Sequence, residues 1–164
     1  MVDEGNMESK NAITRVEDMP VYVRLYELAI RIARLTRDIP KDFTWLRIQS
    51  LRSSESVIAN MAEGFYSQYS TEYIQCLYRC RREARETMTH LKYGSDVEAL
   101  PLATVNALVE PYEAALEELA KLIASIERKV RMHGKSKPGA VREDTAQYEV
   151  ASSIINHSSS LITH

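Results

Sequence analysis

PVYVRLYELAIRIARLTRDIP, residues 20–40, decides the fold class. Val21, Leu25, Leu28, Ile32, Leu35 and Ile39 recur alternately four and three residues apart, which lines apolar side chains along one stripe of an α-helix. Pro20 suits the first helical position, where its missing N–H is no loss, and Pro40 stops the run. The stretch reads as a helix over about 20–37 that must bury one face. Three more segments read the same way. A second helix spans about 43–63, with Gly64 expected as the left-handed residue that closes it. The third starts at Ser70 or Thr71, with Ser70 as its N-cap, and carries Tyr73, Leu77, Cys80, Ala84, Met88 and Leu91 before Gly94 closes it. The fourth covers about 103–131 through Val105, Leu108, Tyr112, Ala115, Leu119, Leu122, Ile126 and Val130. Pro111 inside it removes one backbone donor and is expected to kink the first turns. No strand-like alternation competes. Four amphipathic helices with short connections predict an all-α fold, an antiparallel up-down-up-down four-helix bundle.

The chain of 164 residues suits one domain. Residues 1–19 read as a disordered acidic leader, 20–131 as the four-helix bundle and 132–164 as a flexible tail. The tail opens with HGKSKPG (133–139) and holds a small apolar cluster, Val150, Ile154 and Ile155. Lys and Arg number 21 against 23 Asp and Glu, a net charge of -2, so there is no global basic excess of the kind many nucleic-acid binders show. Uncharged stretches are too short for a membrane span, and the first residues lack an apolar signal segment. Cys76 and Cys80, four apart on one helix, are poorly placed for a disulfide. A reduced, cytoplasmic protein with no membrane association is expected.

The second helix is unusually rich in small residues: Ser50, Ser53, Ser54, Ser56, Ala59 and Ala62. Leu51, Ile58, Met61 and Phe65 trace a second stripe on it. A helix with two apolar faces suggests that the bundle self-associates; a wide core stripe in a single copy is the alternative. Glu63 lies in the last turn of this helix, where a carboxylate opposes the dipole, and an Arg from a neighbouring helix is expected to compensate it.

Basic residues concentrate on the third helix: Arg79, Arg81, Arg82 and Arg85, with Lys92 beyond. At about 100° per residue, Arg81, Arg85 and Lys92 share one flank with Ile74 and Tyr78. Arg31 and Arg34 complete the candidate nucleic-acid-binding set, with Arg24 and Arg37 nearby, because cations near phosphates gain affinity through counterion release. The competing reading is a solvated face paired with Glu27, Glu83 and Glu86 at helical spacings. Cys76, Cys80 and His90 do not make a zinc site without a second ligand pair. No phosphate-cradling loop, nucleophile elbow or paired-His motif is present, so no catalytic residue, metal or cofactor is expected. Trp45 reads as a core or interface anchor.

SVIANMAEG (56–64), STEYI (70–74) and REARET (82–87) occur in this order. The succession resembles the bacterial four-helix-bundle family named for the 23S rRNA intervening-sequence protein. Gln49, Arg52, Ser56, Asn60, Ala62, Glu63 and Gly64 match its first motif. Ser70, Glu72 and Tyr73 match or approximate the second, and Glu83 to Thr87 the third. Val57 and Met61 stand where isoleucine is usual, and Arg81 and Arg82 where many relatives have smaller or neutral residues. The resemblance extends in pattern from about Asp18 to Arg131 and implies a bundle that assembles into a ring, typically a homopentamer. Some relatives are encoded within insertions in large-subunit rRNA genes. A structurally similar relative, the accessory variability determinant of diversity-generating retroelements, forms a pentameric barrel that binds a reverse transcriptase and nucleic acid, though it is strongly basic where this chain is acidic. The expected function is a non-catalytic homo-oligomeric adaptor for RNA, DNA or a nucleic-acid enzyme such as a reverse transcriptase. The alternative is a structural or protein-binding ring without nucleic-acid affinity.

Overall fold

Four helices carry the chain: α1 (Pro20–Leu35), α2 (Thr44–Phe65), α3 (Ser70–Asp96) and α4 (Leu102–His133). The computed structural model describes residues 13–133, and no strand occurs among them. Short 3-10 turns lie at Val16–Asp18, Thr36–Asp38 and Lys41–Phe43. The apolar stripe of α1 goes where its spacing points: Val21, Leu25, Leu28 and Ile32 are buried, and Ile39 joins them beyond the helix. Each helix packs on the next, and α4 returns against α1. The core also recruits residues upstream of Pro20. Ile13, Val16 and Met19 are buried, and the Val16 N–H donates to the Tyr66 hydroxyl at 3.4 Å. Residues 13–19 of the expected leader thus contribute to the core; residues 1–12 and 134–164, including the Val150–Ile155 cluster, lie outside the described residues.

Gly64 and Gly94 do not close helices, as had been expected of them. Both lie inside, α2 continuing to Phe65 and α3 to Asp96, and no described glycine has a positive φ. Their role is closeness. A Cβ on Gly64 would sit 2.5 Å from Cys76 Cβ and 2.8 Å from Tyr73 Cδ2, so this position sets how near α2 comes to α3. The left-handed residue after α3 is Glu98, with φ 59°. Ser70 is the first residue of α3 rather than its cap; Tyr69 holds the cap position without a side-chain bond.

Small residues on α2 likewise serve the α2–α3 contact. Ser50, Ser53 and Ser54 are buried. The Ser54 hydroxyl donates to the Leu51 carbonyl at 3.0 Å, and Thr87 Oγ1 on α3 reaches Ser53 Oγ at 2.8 Å. Returning the Ser53, Ser54 and Thr87 hydroxyls to nearby acceptors removes the penalty of burying them, whereas the Ser50 hydroxyl is buried without a partner among the described residues. Met61 and Phe65 belong to the same core, with Ile58 packed against it. The expected second stripe of α2 is thus largely the wide core stripe of one copy. Paired positions between the two helices are Gly64 with Cys76, Asn60 with Arg79 and Ser53 with Thr87, numbers that rise on one helix as they fall on the other. Among the described residues, no helix is long and apolar enough to cross a membrane.

Candidate nucleic-acid interface

Arg79 is committed to the fold. Its Nε donates to Asn60 Oδ1 at 2.9 Å, its Nη2 lies 3.4 Å from Glu63 Oε1, and the same nitrogen is 2.8 Å from Cys76 Sγ. Asn60 Nδ2 donates in turn to the Ser56 carbonyl at 2.7 Å, which turns Oδ1 toward the guanidinium. Asn60, Glu63 and Gly64 therefore line one seam against α3, with the Ser56 carbonyl orienting Asn60 from within α2, and the Arg expected to compensate Glu63 is Arg79. With Glu63 68% exposed, the ion pair is worth at most about 1 kcal/mol; the hydrogen bond to Asn60 and the contact at Gly64 matter more. Burial pushes the Cys76 thiol above its usual range against the lowering effect of Arg79, so a thiolate is not favoured here. Cys76 and Cys80 are both free and buried.

Helical geometry separates Arg81, Arg85 and Lys92 from Arg79, while Arg82, three residues on, stays within about 60° of it. Two residues after Arg79, Arg81 is turned by about 200° around the axis, to the flank that meets α4. Its guanidinium lies over the Tyr78 ring, 4.8 Å from the centroid. The Tyr78 hydroxyl donates to Glu127 Oε1 at 2.7 Å, a bond that raises the phenol's pKa, and Arg131 Nη2 meets the other Glu127 oxygen at 3.3 Å. Arg82 is loosely paired with Glu83 at 3.3 Å, its side chain 70% exposed. Arg85 and Lys92 are exposed, and among the described residues no carboxylate lies within ion-pair reach of either. Arg81, Arg85 and Lys92 share the flank toward α4, Arg79 turns toward α2, and Arg82 points outward between the two.

On α1 the expected cations divide in the same manner. Arg31 Nη2 donates to the Ala107 carbonyl at 3.0 Å. Ala107 is four residues before Pro111, whose ring nitrogen has no hydrogen to give, so its carbonyl is the one the proline orphans. Arg31 fills that vacancy from the neighbouring helix. Arg24 is paired with Glu118. Arg34 is exposed, and no described carboxylate pairs with it.

One exposed apolar surface escaped the sequence reading. Val23, Tyr26 and Ile30 on α1 are exposed, as are Ile48 on α2 and Tyr66 just beyond it. The spacing 23, 26, 30 is itself helical and marks a second stripe on the back of α1, overlooked because the heptad-like stripe beside it dominates. Trp45 is half exposed at 47% and meets Tyr93 at a tilt, ring centroids 5.6 Å apart, so it lies at the surface rather than in the core. Among the described residues, no group of three His, Cys, Asp or Glu side chains could hold a metal ion.

Comparison with known proteins agrees with this architecture. A solved structure from Bacteroides thetaiotaomicron, described as a protein of unknown function from the S23 ribosomal protein family, superposes with a TM-score of 0.59 at 24% identity. The match covers 63% of this chain and 97% of that one, and it speaks to fold alone. No curated protein matches. The profile of the 23S rRNA-intervening sequence protein family matches residues 17–125, from the last turn before α1 to near the end of α4. The chain belongs to the 23S rRNA-intervening sequence protein family.

Proposed function

We propose that this protein is a non-catalytic, self-assembling adaptor of the cytoplasm: an antiparallel up-down-up-down bundle whose copies join into a ring through α1 and α2 and contact nucleic acid through α3. The observation that carries the reading is the placement of two unlike faces. Val23, Tyr26, Ile30, Ile48 and Tyr66 leave an apolar surface on the α1–α2 side, whereas Arg81, Arg85 and Lys92 gather on the α3 flank toward α4, with Arg82 at its outer edge. A ring closed through the first side, five copies being the number the family resemblance suggests, keeps the second accessible and repeats it once per copy. Repetition converts a weak phosphate-binding patch into an avid one. RNA, DNA or the RNA- or DNA-bearing form of a nucleic-acid enzyme such as a reverse transcriptase is the partner class.

Crosslinking in native cells, followed by sequencing of co-purified nucleic acid, tests the partner, and a solution mass tests the ring. The Arg81→Glu and Arg85→Glu double variant is expected to keep the parent mass while the slope of log affinity against log salt falls by about 2 for each copy that engages the nucleic acid. A defined RNA or DNA recovered with the parent and lost with the variant supports the reading. A ring that recovers only background nucleic acid makes the partner a protein and the arginine face a solvated surface.

A further inference from the structure

Where α1 ends and α3 turns into α4, the bundle leaves a cavity of about 570 Å³. Leu35, Pro40, Leu100 and Leu102 supply apolar walls, and Asp38 and Glu98 bring carboxylates. The turn is braced: the N–H groups of Ala99 and Leu100 both donate to the Gly94 carbonyl, at 2.8 and 2.9 Å. Leu102 is 63% exposed, so the depression runs out onto open surface and suits a chain laid across it better than an enclosed small molecule. Among the described residues neither Asp38 nor Glu98 has a cation within ion-pair reach. An apolar depression carrying two unpaired carboxylates selects a ligand that brings positive charge beside small apolar groups.

The sequence KSKPGAVR, residues 135–142, has that composition: Lys135, Lys137 and Arg142 around Pro138, Ala140 and Val141. We propose that this segment of a second copy of the chain docks in the cavity. Its own cavity is out of reach. Leu102 lines the cavity and His133 ends the same helix, and 32 residues of α-helix span about 48 Å. Residues 134–142 extend over only about 30 Å even when fully stretched. The contact therefore joins copies, and it rests on the self-association proposed above.

The test mixes full-length light and isotopically heavy protein, allows exchange, and applies a zero-length carbodiimide crosslinker that joins lysine amines to carboxylates. Heavy–light peptide pairs linking Lys135 or Lys137 to Asp38 or Glu98 are expected. Their absence, or the appearance of light–light and heavy–heavy pairs only, overturns the docking. As a second readout, a fluorescent synthetic peptide of residues 134–142 is titrated into the full-length protein. Asp38→Asn with Glu98→Gln is expected to weaken its binding about tenfold or more, and unchanged binding counts equally against the site. Solution mass separates the two ideas. An oligomer without these crosslinks removes the docking and leaves the assembly, whereas a monomer removes both.

Discussion

Replacing Gly64 by alanine tests the central claim about the α2–α3 seam, because two effects of opposite sign compete there. Alanine is the better helix former by about 1 kcal/mol, so at an uncrowded helical position the change would stabilise. At Gly64 the new Cβ would lie 2.5 Å from Cys76 Cβ, whereas ordinary contact begins near 3.4 Å. The helices must therefore part by about 0.9 Å locally. Neither atom can rotate away, since each Cβ is fixed to its own backbone. Parting the helices there loosens Tyr73, Met61 and Phe65 together, and overpacking of this kind typically costs 1–3 kcal/mol or more.

We expect Gly64→Ala to lose about 2 kcal/mol net, a fall of roughly 4–8 °C in Tm for a chain of this size. Urea unfolding followed by circular dichroism at fixed protein concentration measures it, with an unchanged m-value showing that the same transition is compared. Gly94→Ala is the internal control. Its Cβ would meet Leu100 Cδ1 at 2.8 Å and Leu46 Cδ2 at 3.0 Å, the ends of side chains that can rotate. That variant should stay within about 1 kcal/mol of the parent. A Gly64→Ala protein as stable as the parent, or a Gly94→Ala protein that falls as far, would refute the reasoning.

Three further outcomes follow from named contacts. Arg31→Met should cost about 1 kcal/mol while Pro111 is present, and markedly less in a Pro111→Ala background, where the restored N–H can reach Ala107; a double-mutant cycle showing no coupling rejects the orphan-carbonyl account. Arg79→Ala should lower stability by about 1 kcal/mol yet leave nucleic-acid affinity nearly unchanged, the reverse of Arg85→Ala, and both quantities should be read on the same variants. Burial pushes the Cys80 thiol from its ordinary 9 up to about 12. A raised native pKa means that its contribution is complete below pH 9 and is lost as pH climbs toward 12, amounting to about 1.4 kcal/mol by pH 10. Stability measured from pH 8 to 10 should fall less steeply for Cys80→Ala, and equal slopes would exclude the thiol as the cause.

The helices were legible because apolar spacing is a local property: the stripe of α1 needed only its own residues. What glycine does was not legible, because Gly64 reads identically as a terminator and as a point of contact. Only the presence of Cys76 and Tyr73 opposite it decides, and they are on another helix. The stripe Leu51, Ile58, Met61, Phe65 failed for the same reason. Periodicity shows that a face is apolar without showing whether the same copy covers it. The uncovered surface lies partly on α1, where Val23, Tyr26 and Ile30 carry the same signal at lower amplitude. Glu63 succeeded because its argument was electrostatic and specific, a carboxylate at the wrong end of a dipole that required a cation.

The arginines show why a count of charges overstates a binding surface. A guanidinium carries several donors in a fixed fork, so it serves buried carbonyls and amides as readily as phosphates. In this bundle, two of the six candidates already have such uses: Arg79 holds Asn60 in place, and Arg31 serves the carbonyl that Pro111 orphans. Arg81 is held against Tyr78, an arrangement that leaves its charge in place while limiting its motion. A cation positioned in this way loses less entropy when it meets a phosphate than a free one would. Arg85 and Lys92 extend the same face, and Arg82 lies at its outer edge, loosely paired with Glu83. Arg34 stands apart on α1. The face to test is therefore smaller than the sequence implied and confined to one helix. Its strength depends on how many copies present it together, which ties the nucleic-acid question to the assembly question.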